Sequence, residues 1–262
     1  MNFRQSLNAF ALVAVLLVAL CVPAFTAGAV ADSFDTPLKK EIVDLGLSPD
    51  FPSEVRVHIK LSCYFFPSFL VQQYDSGQKG ADRLEIVLRV EGVTPACASI
   101  HAAGERVIRV EWSGYFRGAK GNLVFFYASD GTNGGMPFIV YDSRTGSKIF
   151  QDTTFDSTWL HNKVAVSTFS RPRVSIAPDG QVSLKYLRVV ETDCDLHLER
   201  ASCWEQTRKK LALKSAQMPI CNGYKGIPTR WSSAVAYPVE VLLFPQPVSR
   251  TIAGPIECWP VD

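Results

Sequence analysis

The sequence predicts an all-β protein: a single antiparallel, β-sandwich-like domain that is stapled by disulfide bonds and carries one short helix. Three observations predict this fold class. Several segments alternate apolar and polar residues with a period of two, turn residues separate the segments, and six cysteines follow an apparent export signal. Such alternation gives a strand one buried face and one wet face, which is typical of antiparallel sheets.

The first 31 residues have the organisation of a secretory signal peptide. Arg4 gives the start a positive charge, residues 9–22 are an unbroken apolar run, and the segment ends in an A-x-A exit at Ala31. An apolar helix of that length spans about 21 Å, less than the ~30 Å hydrocarbon core, so an uncleaved anchor is the weaker alternative. We therefore predict cleavage after Ala31, no stable membrane anchor afterwards, and a secreted or bacterial periplasmic protein.

The remaining 231 residues divide into two parts. Residues 32–53 are a proline-containing lead-in, for which we predict one helical turn around Leu38–Leu45, and residues 54–262 are expected to form the single β-rich domain. Arg4 is the only charged residue of the leader, so 26 basic and 25 acidic side chains remain. This near balance argues against nucleic acid as a partner, because phosphate neutralisation needs a basic face.

Three segments carry the clearest strand signal: residues 55–63, 84–91 and 106–113. In each, apolar residues alternate with charged ones, which predicts a half-buried strand. The first segment turns Cys63 inward, and the second turns Glu85 toward water. The other residues predicted to face inward are Val55, Val57, Ile59, Leu61, Leu84, Ile86, Leu88, Val90, Ile108, Val110 and Trp112.

Turn residues predict three hairpins, at Asp130–Gly135, Asp142–Gly146 and Pro178–Gly180, because each places glycine between β-rich stretches. The residues around the middle turn, Phe138–Phe150, resemble the inner hairpin of a β-propeller blade. That resemblance covers 13 residues and occurs once. A small propeller-like meander is therefore kept only as an alternative architecture.

The last third of the chain predicts one helix between strands. Ser202 and Glu205 have the spacing of a capping box, which predicts a helix over about residues 203–213. Ala234–Phe244 predicts a strand that we expect at an edge, or with a bulge at Pro238, since proline cannot donate to a ladder. Arg250–Cys258 predicts a closing strand.

Six cysteines remain after the leader, and an even number in an exported chain predicts disulfide bonds. We predict a bond between Cys63 and Cys97. The sequence lacks a C-x-x-C pair and a histidine pair at ligand spacing, so we predict neither a metal site nor a cofactor. The other four cysteines are expected to tie the helix and closing strand together in an unassigned pattern: Cys194, Cys203, Cys221 and Cys258.

Acidic residues are densest in one stretch, and a histidine follows them. Two carboxylates that flank one bond suit glycoside hydrolysis, although aspartates beside glycine-rich turns also cap their own backbone. Both interpretations apply to this group. The candidate catalytic residues are Asp130, Asp142, Asp152, Asp156 and His161.

Trp159 and Trp231 lie in polar segments and are the candidates for stacking on a sugar ring. The sequence contains no nucleophile elbow, phosphate-binding loop or calcium loop. We therefore predict a secreted or periplasmic, non-catalytic module that binds a ligand, a glycan or a protein partner. A secreted glycoside hydrolase using carboxylates in residues 130–156 is the alternative.

Overall fold

The computed structural model describes residues 34–52, 54–89, 93–155, 172–215, 217–225 and 231–261. These residues form two antiparallel sheets and one helix, so the predicted fold class is confirmed. In the smaller sheet each strand pairs with its sequence neighbour, in the order β1-β2-β3-β4-β5. The five strands are β1 (Lys39–Leu47), β2 (His58–Phe65), β3 (Phe69–Asp75), β4 (Arg83–Leu88) and β5 (Val107–Arg109).

The larger sheet has nine strands, in the order β13-β12-β11-β9-β8-β7-β6, with β10 paired to β11 and β14 paired to β12. Helix α1 (Arg200–Lys210) lies between β11 and β12 in the chain. The nine strands are β6 (Gly114–Lys120), β7 (Leu123–Ala128), β8 (Gly135–Asp142), β9 (Ser147–Phe155), β10 (Arg173–Ile176), β11 (Val182–Glu191), β12 (Ser233–Leu242), β13 (Val248–Thr251) and β14 (Glu257–Pro260).

The two sheets pack face to face through a shared apolar cluster. Val71 and Ile86 of the smaller sheet join Phe126 and Ile139 of the larger sheet in this cluster. Burial of these side chains is the main favourable term that holds the sheets together. Six of the residues predicted to face inward belong to it or pack against it: Leu84, Ile86, Leu88, Ile108, Val110 and Trp112.

The outer face of the smaller sheet is covered as well. Leu61, Cys63 and Val87 form a second cluster, against which Cys97 of the loop after β4 and Val107 of β5 pack. The alternation of the first segment is confirmed within β2, where Leu61 and Cys63 are fully buried. It is wrong for Val55, which precedes β2 and is 56 % exposed. The apolar face of β2, which carries Leu61 and Cys63, packs in this outer cluster and not in the interface between the two sheets.

The six cysteines that follow the leader are all paired, and Cys63–Cys97 is the predicted bond. Cys194–Cys203 fastens the segment after β11 to α1, and Cys221–Cys258 fastens the segment before β12 to β14. Three disulfide bonds indicate an oxidising, extracellular-type environment. Within the described ranges, no helix combines the length and apolar character needed to cross a membrane.

The three predicted hairpins are confirmed as β7–β8, β8–β9 and β10–β11. The hairpin that resembles a propeller blade is β8–β9. It is a continuous part of the nine-stranded sheet, and its Ile139 packs against the smaller sheet. The chain therefore adopts the sandwich-like arrangement and not the propeller-like meander.

The helical turn predicted around Leu38–Leu45 is wrong, because this segment forms β1. Lys39–Asp44 pairs residue for residue with β2. Most β1 side chains are exposed, including Ile42 at 58 %. Val43 packs against the outer cluster while its neighbour Ile42 is exposed on the other face, so two apolar residues stand side by side and the sequence shows no clean alternation.

The edge position or bulge predicted for Pro238 is also wrong. β12 lies inside the sheet and pairs with β11 without a shift in register. On its other side, β14 pairs with residues 233–236 and β13 with residues 239–242. The Pro238 carbonyl accepts from Ile252 on that side. Proline is tolerated because its backbone nitrogen, which has no hydrogen to donate, lies at the junction between β13 and β14, where no ladder hydrogen bond is required.

Helix α1 begins at Arg200, earlier than predicted, and the capping box is wrong. The Ser202 hydroxyl donates to the Glu199 carbonyl instead of capping the helix. The turn that leads into α1 is stabilised by buried Asp195, whose carboxylate accepts from the N–H groups of His197 and Leu198. In return, the Glu199 carboxylate accepts from the Asp195 N–H.

Candidate functional site

Asp130 lies in the turn between β7 and β8 and is mostly exposed. Its carboxylate accepts from the Gly131 N–H at 3.0 Å and forms an ion pair with Lys79. The hydrogen bond from Lys79, followed by that from Gly131, lowers the pKa of Asp130. These contacts are those of an aspartate that stabilises its own turn.

Asp142 caps the turn between β8 and β9. Its side chain is buried and accepts from Arg144 three times, from the backbone N–H at 2.9 Å, from Nε at 3.1 Å and from Nη2 at 2.8 Å. Burial alone raises the pKa of Asp142, but the bonds from Arg144 outweigh it and the net shift is downward. The folded chain therefore favours the ionised carboxylate.

Replacing Asp142 by asparagine tests this structural role. An acid whose pKa is lowered by folding stabilises the fold above its unfolded pKa, and that contribution is lost as pH falls through the folded pKa. We expect D142N to cost about 1 kcal/mol at pH 7, because one charge-assisted pair is lost. The difference from wild type should shrink below about pH 4. Thermal unfolding of both proteins across the acid range measures this difference in stability. A difference that does not change with pH would contradict the prediction.

Asp152 lies in a polar cluster that joins β9 to β11. Its carboxylate accepts from the Tyr186 hydroxyl and from Arg188 Nε at 2.7 Å. Burial, followed by the charge of Asp152, raises the pKa of Tyr186. Strands β9 and β11 are in register at a single position, Thr154 opposite Arg188. The cluster therefore reinforces the place where the strand pairing is weakest.

Three candidates, Asp156, Trp159 and His161, lie outside the described residues. Trp231 is half-buried, and its backbone N–H donates to the Asp195 carboxylate at 3.2 Å. The convergence of the acids, and a shared groove for the two tryptophans, therefore stay predictions.

One polar cluster was not expected from the sequence. Glu85, predicted to face water, is buried because the loop after β4 covers that face. His101 of this loop places Nε2 at 2.9 Å from Glu85 and Nδ1 at 3.2 Å from Glu105. The carboxylates contact opposite nitrogens, so the histidine bridges them and holds the loop. In the described part of the chain, no three metal-ligating side chains converge on one point.

A cleft of about 440 Å³ opens at one end of the smaller sheet, and we call it the β1–β3 cleft. Phe66 and Phe69 lie in it with their rings stacked at 4.9 Å, and Phe65 and Leu70 are buried beside them. All four side chains are at most 8 % exposed, so the exposed apolar surface of the cleft comes from Leu38 and Ala96. The lining residues are Leu38, Lys39, Glu41, Phe65, Phe66, Phe69, Leu70, Arg89, Thr94, Pro95, Ala96 and Cys97.

The walls of the β1–β3 cleft are fixed by covalent and hydrogen bonds. The disulfide at Cys97 anchors one wall, and buried Gln72 donates from Nε2 to the carbonyls of Ala96 at 3.2 Å and Ala98 at 3.4 Å. On the other side, the Phe66 N–H donates to the Phe69 carbonyl at 2.8 Å. The site is therefore preformed rather than assembled on binding.

The rim carries two cations and one anion. Lys39 forms an ion pair with Glu41, and its Nζ lies 5.5 Å from the centroid of the Phe65 ring. Arg89 is exposed and donates one long hydrogen bond, 3.4 Å, to the Pro67 carbonyl. A guanidinium has five N–H donors, and this contact uses one of them. The rim can therefore receive a negatively charged group.

Sequence reasoning missed the β1–β3 cleft, because its residues come from four separate segments. One local signal was present: Phe65-Phe66-Pro67-Ser68-Phe69 puts three aromatic residues at a hairpin turn, where polar residues are usual. No family model, curated protein or solved structure matches this chain. The site is therefore interpreted from its own geometry.

Proposed function

We propose that this protein is exported, oxidised outside the cytosol, and acts there as a non-catalytic binding module. Its β1–β3 cleft takes a small amphipathic ligand with an anionic end. The observation that carries the proposal is the preformed, mostly apolar cleft with Arg89 at its rim. Three disulfide bonds and the leader-like organisation of residues 1–31 support the location, secreted or periplasmic.

The size and lining of the cleft favour an apolar body. A volume of about 440 Å³ lies in the range of small-molecule sites. Each Å² of apolar ligand surface removed from water contributes roughly 25 cal/mol, so contact with the exposed apolar lining, Leu38 and Ala96, favours binding of an apolar body. Arg89 orients the ligand, since a guanidinium binds a carboxylate in a defined, forked geometry.

The same residues favour binding over hydrolysis. Glu41 is the one carboxylate among the described residues that line the cleft, and it is already paired with Lys39. Glycoside hydrolysis needs two carboxylates on either side of one bond. Asp130, Asp142 and Asp152 lie elsewhere, each bonded to a cation.

Titration with dodecanoate and with dodecyltrimethylammonium tests the proposal, because the two probes share a tail and differ in the sign of the head group. We expect saturable binding of dodecanoate and weaker binding of the cation, measured by calorimetry. Arg89→Gln should weaken dodecanoate binding by about three- to fivefold, the value of one exposed charge contact. Leu38 is exposed at the rim of the cleft. Leu38→Glu should weaken dodecanoate binding more than Arg89→Gln does, because the new carboxylate repels the head group.

Arg106→Gln is the matched control, because Arg106 is exposed and lies outside the cleft lining. It should leave dodecanoate affinity unchanged. Equal losses in the two arginine variants, or tighter binding of the cationic probe, would contradict the proposal. So would the absence of dodecanoate binding at about 1 mM, the weak end of specific recognition.

A further inference from the structure

The outer edge of β1 has no neighbour among the described strands, since the smaller sheet begins with β1 and continues to β2. Large apolar side chains are exposed along it. An edge strand with exposed apolar residues is a template for pairing with another chain. The exposed side chains at or beside this strand are Leu38 (67 %), Ile42 (58 %), Leu45 (38 %) and Leu47 (49 %).

The regular part of the edge is short and well defined. Lys39–Asp44 pairs with β2 without interruption, and the register shifts between Asp44 and Leu47. Gly46 lies in this irregular part with φ +97°. A partner strand therefore finds continuous backbone only over residues 39–44.

We propose that β1 pairs antiparallel with β1 of a second copy of this chain, about a two-fold axis at Ile42. The axis runs perpendicular to the sheet, so directly opposed residues lie on the same face. This register sets Ile42 against Ile42, and Lys40 of each copy against Asp44 of the other. All of these residues belong to the regular segment.

Charge complementarity selects this register over its neighbours. An axis at Glu41 opposes two like carboxylates, which is destabilising. An axis at Lys40 opposes two ammonium groups, and the Lys39 and Glu41 side chains that it sets against each other are already paired within each chain. An axis at Val43 opposes Asp44 to Ile42, forms no opposite-charge pair and runs into the shifted residues. The axis at Ile42 gives two opposite-charge pairs and leaves the Lys39–Glu41 ion pair intact.

The groups already near these charges leave room for the new contacts. Asp44 accepts from His58 Nδ1 at 2.8 Å and stands opposite Lys60 of β2, and its side chain remains 59 % exposed. Lys40 Nζ lies 5.1 Å from the Tyr64 ring centroid, and Lys40 is exposed. A carboxylate has two oxygens with about four acceptor positions, so Asp44 can accept from a second lysine.

Pairing would join two five-stranded sheets into one sheet of ten strands. It would also bring two β1–β3 clefts to the same junction, because Leu38, Lys39 and Glu41 line the cleft. The dimer does not depend on the proposed ligand. A monomer that binds dodecanoate, and a dimer that does not, are distinguishable results.

Sedimentation equilibrium on protein produced from the full-length sequence tests the pairing. We expect a reversible dimer for the wild type. K40E and D44K should each weaken dimerisation by about tenfold or more, because each homodimer then opposes like charges twice. An equimolar mixture of the two variants should restore dimers, since both pairs then have opposite charge. The double variant K40E/D44K should also dimerise.

K148E is the control for the change in net charge, because Lys148 is exposed on β9 of the other sheet. It should dimerise like the wild type. A monomeric wild type at about 1 mM overturns the proposal. Failure of both the mixture and the double variant to dimerise, with circular dichroism unchanged from wild type, overturns the register.

Discussion

Replacing Cys63 and Cys97 together by alanine is expected to lower the free energy of unfolding by about 3–4 kcal/mol. The two residues are 34 apart in sequence, so their bond removes much freedom from the unfolded chain. Cys63 is fully buried, and its partner holds the loop that covers the outer face of the smaller sheet. Urea unfolding of both proteins, followed by circular dichroism, measures the difference.

The same double variant should lose dodecanoate binding, because Cys97 and its neighbours form one wall of the β1–β3 cleft. The control is C194A/C203A, which removes the bond between cysteines only 9 apart. We expect it to cost about 2–3 kcal/mol and to leave the cleft intact. Equal losses of binding in the two double variants would show that unfolding, and not the cleft wall, is being measured.

The sequence predicts the parts of the fold that are set by local chemistry. Leu84 and Ile86 alternate with charged residues and are buried between the sheets, and Asp142 and Gly146 bound a turn that forms as expected. Cys63 could be paired with Cys97 because its place in the alternation put it inside. In each case a few neighbouring residues decide the structure.

Contacts between distant segments decide the parts that the sequence does not predict. The alternation of its strand predicts that Glu85 faces solvent. It is buried instead, because His101 and the loop that carries it cover this face of the sheet. The sequence of β1 does not alternate apolar and polar residues, because at the edge of the sheet the apolar Ile42 is exposed beside the half-buried Val43. The β1–β3 cleft combines residues from four separate segments, so the aromatic turn at Phe65–Phe69 could not by itself predict it.

Trp259 joins the last strand to the β7–β8 hairpin. Its ring is 1 % exposed and packs with Phe155, with centroids 5.2 Å apart. The indole N–H donates to the Asn133 carbonyl at 2.9 Å. A Cβ atom on Gly134 would lie 2.8 Å from the ring, so the turn backbone and the indole are in close contact. One side chain therefore supplies both packing and a buried hydrogen bond.

Truncating this side chain separates the two contributions. Trp259→Ala is expected to cost about 3–5 kcal/mol, because a large cavity opens beside Phe155 and the hydrogen bond is lost. Trp259→Phe keeps most of the ring and should cost about 1–2 kcal/mol, from the lost hydrogen bond and the smaller volume. Urea unfolding of both variants against wild type measures the two values. A loss in Trp259→Phe as large as in Trp259→Ala would mean that the hydrogen bond to Asn133, rather than packing, anchors the strand.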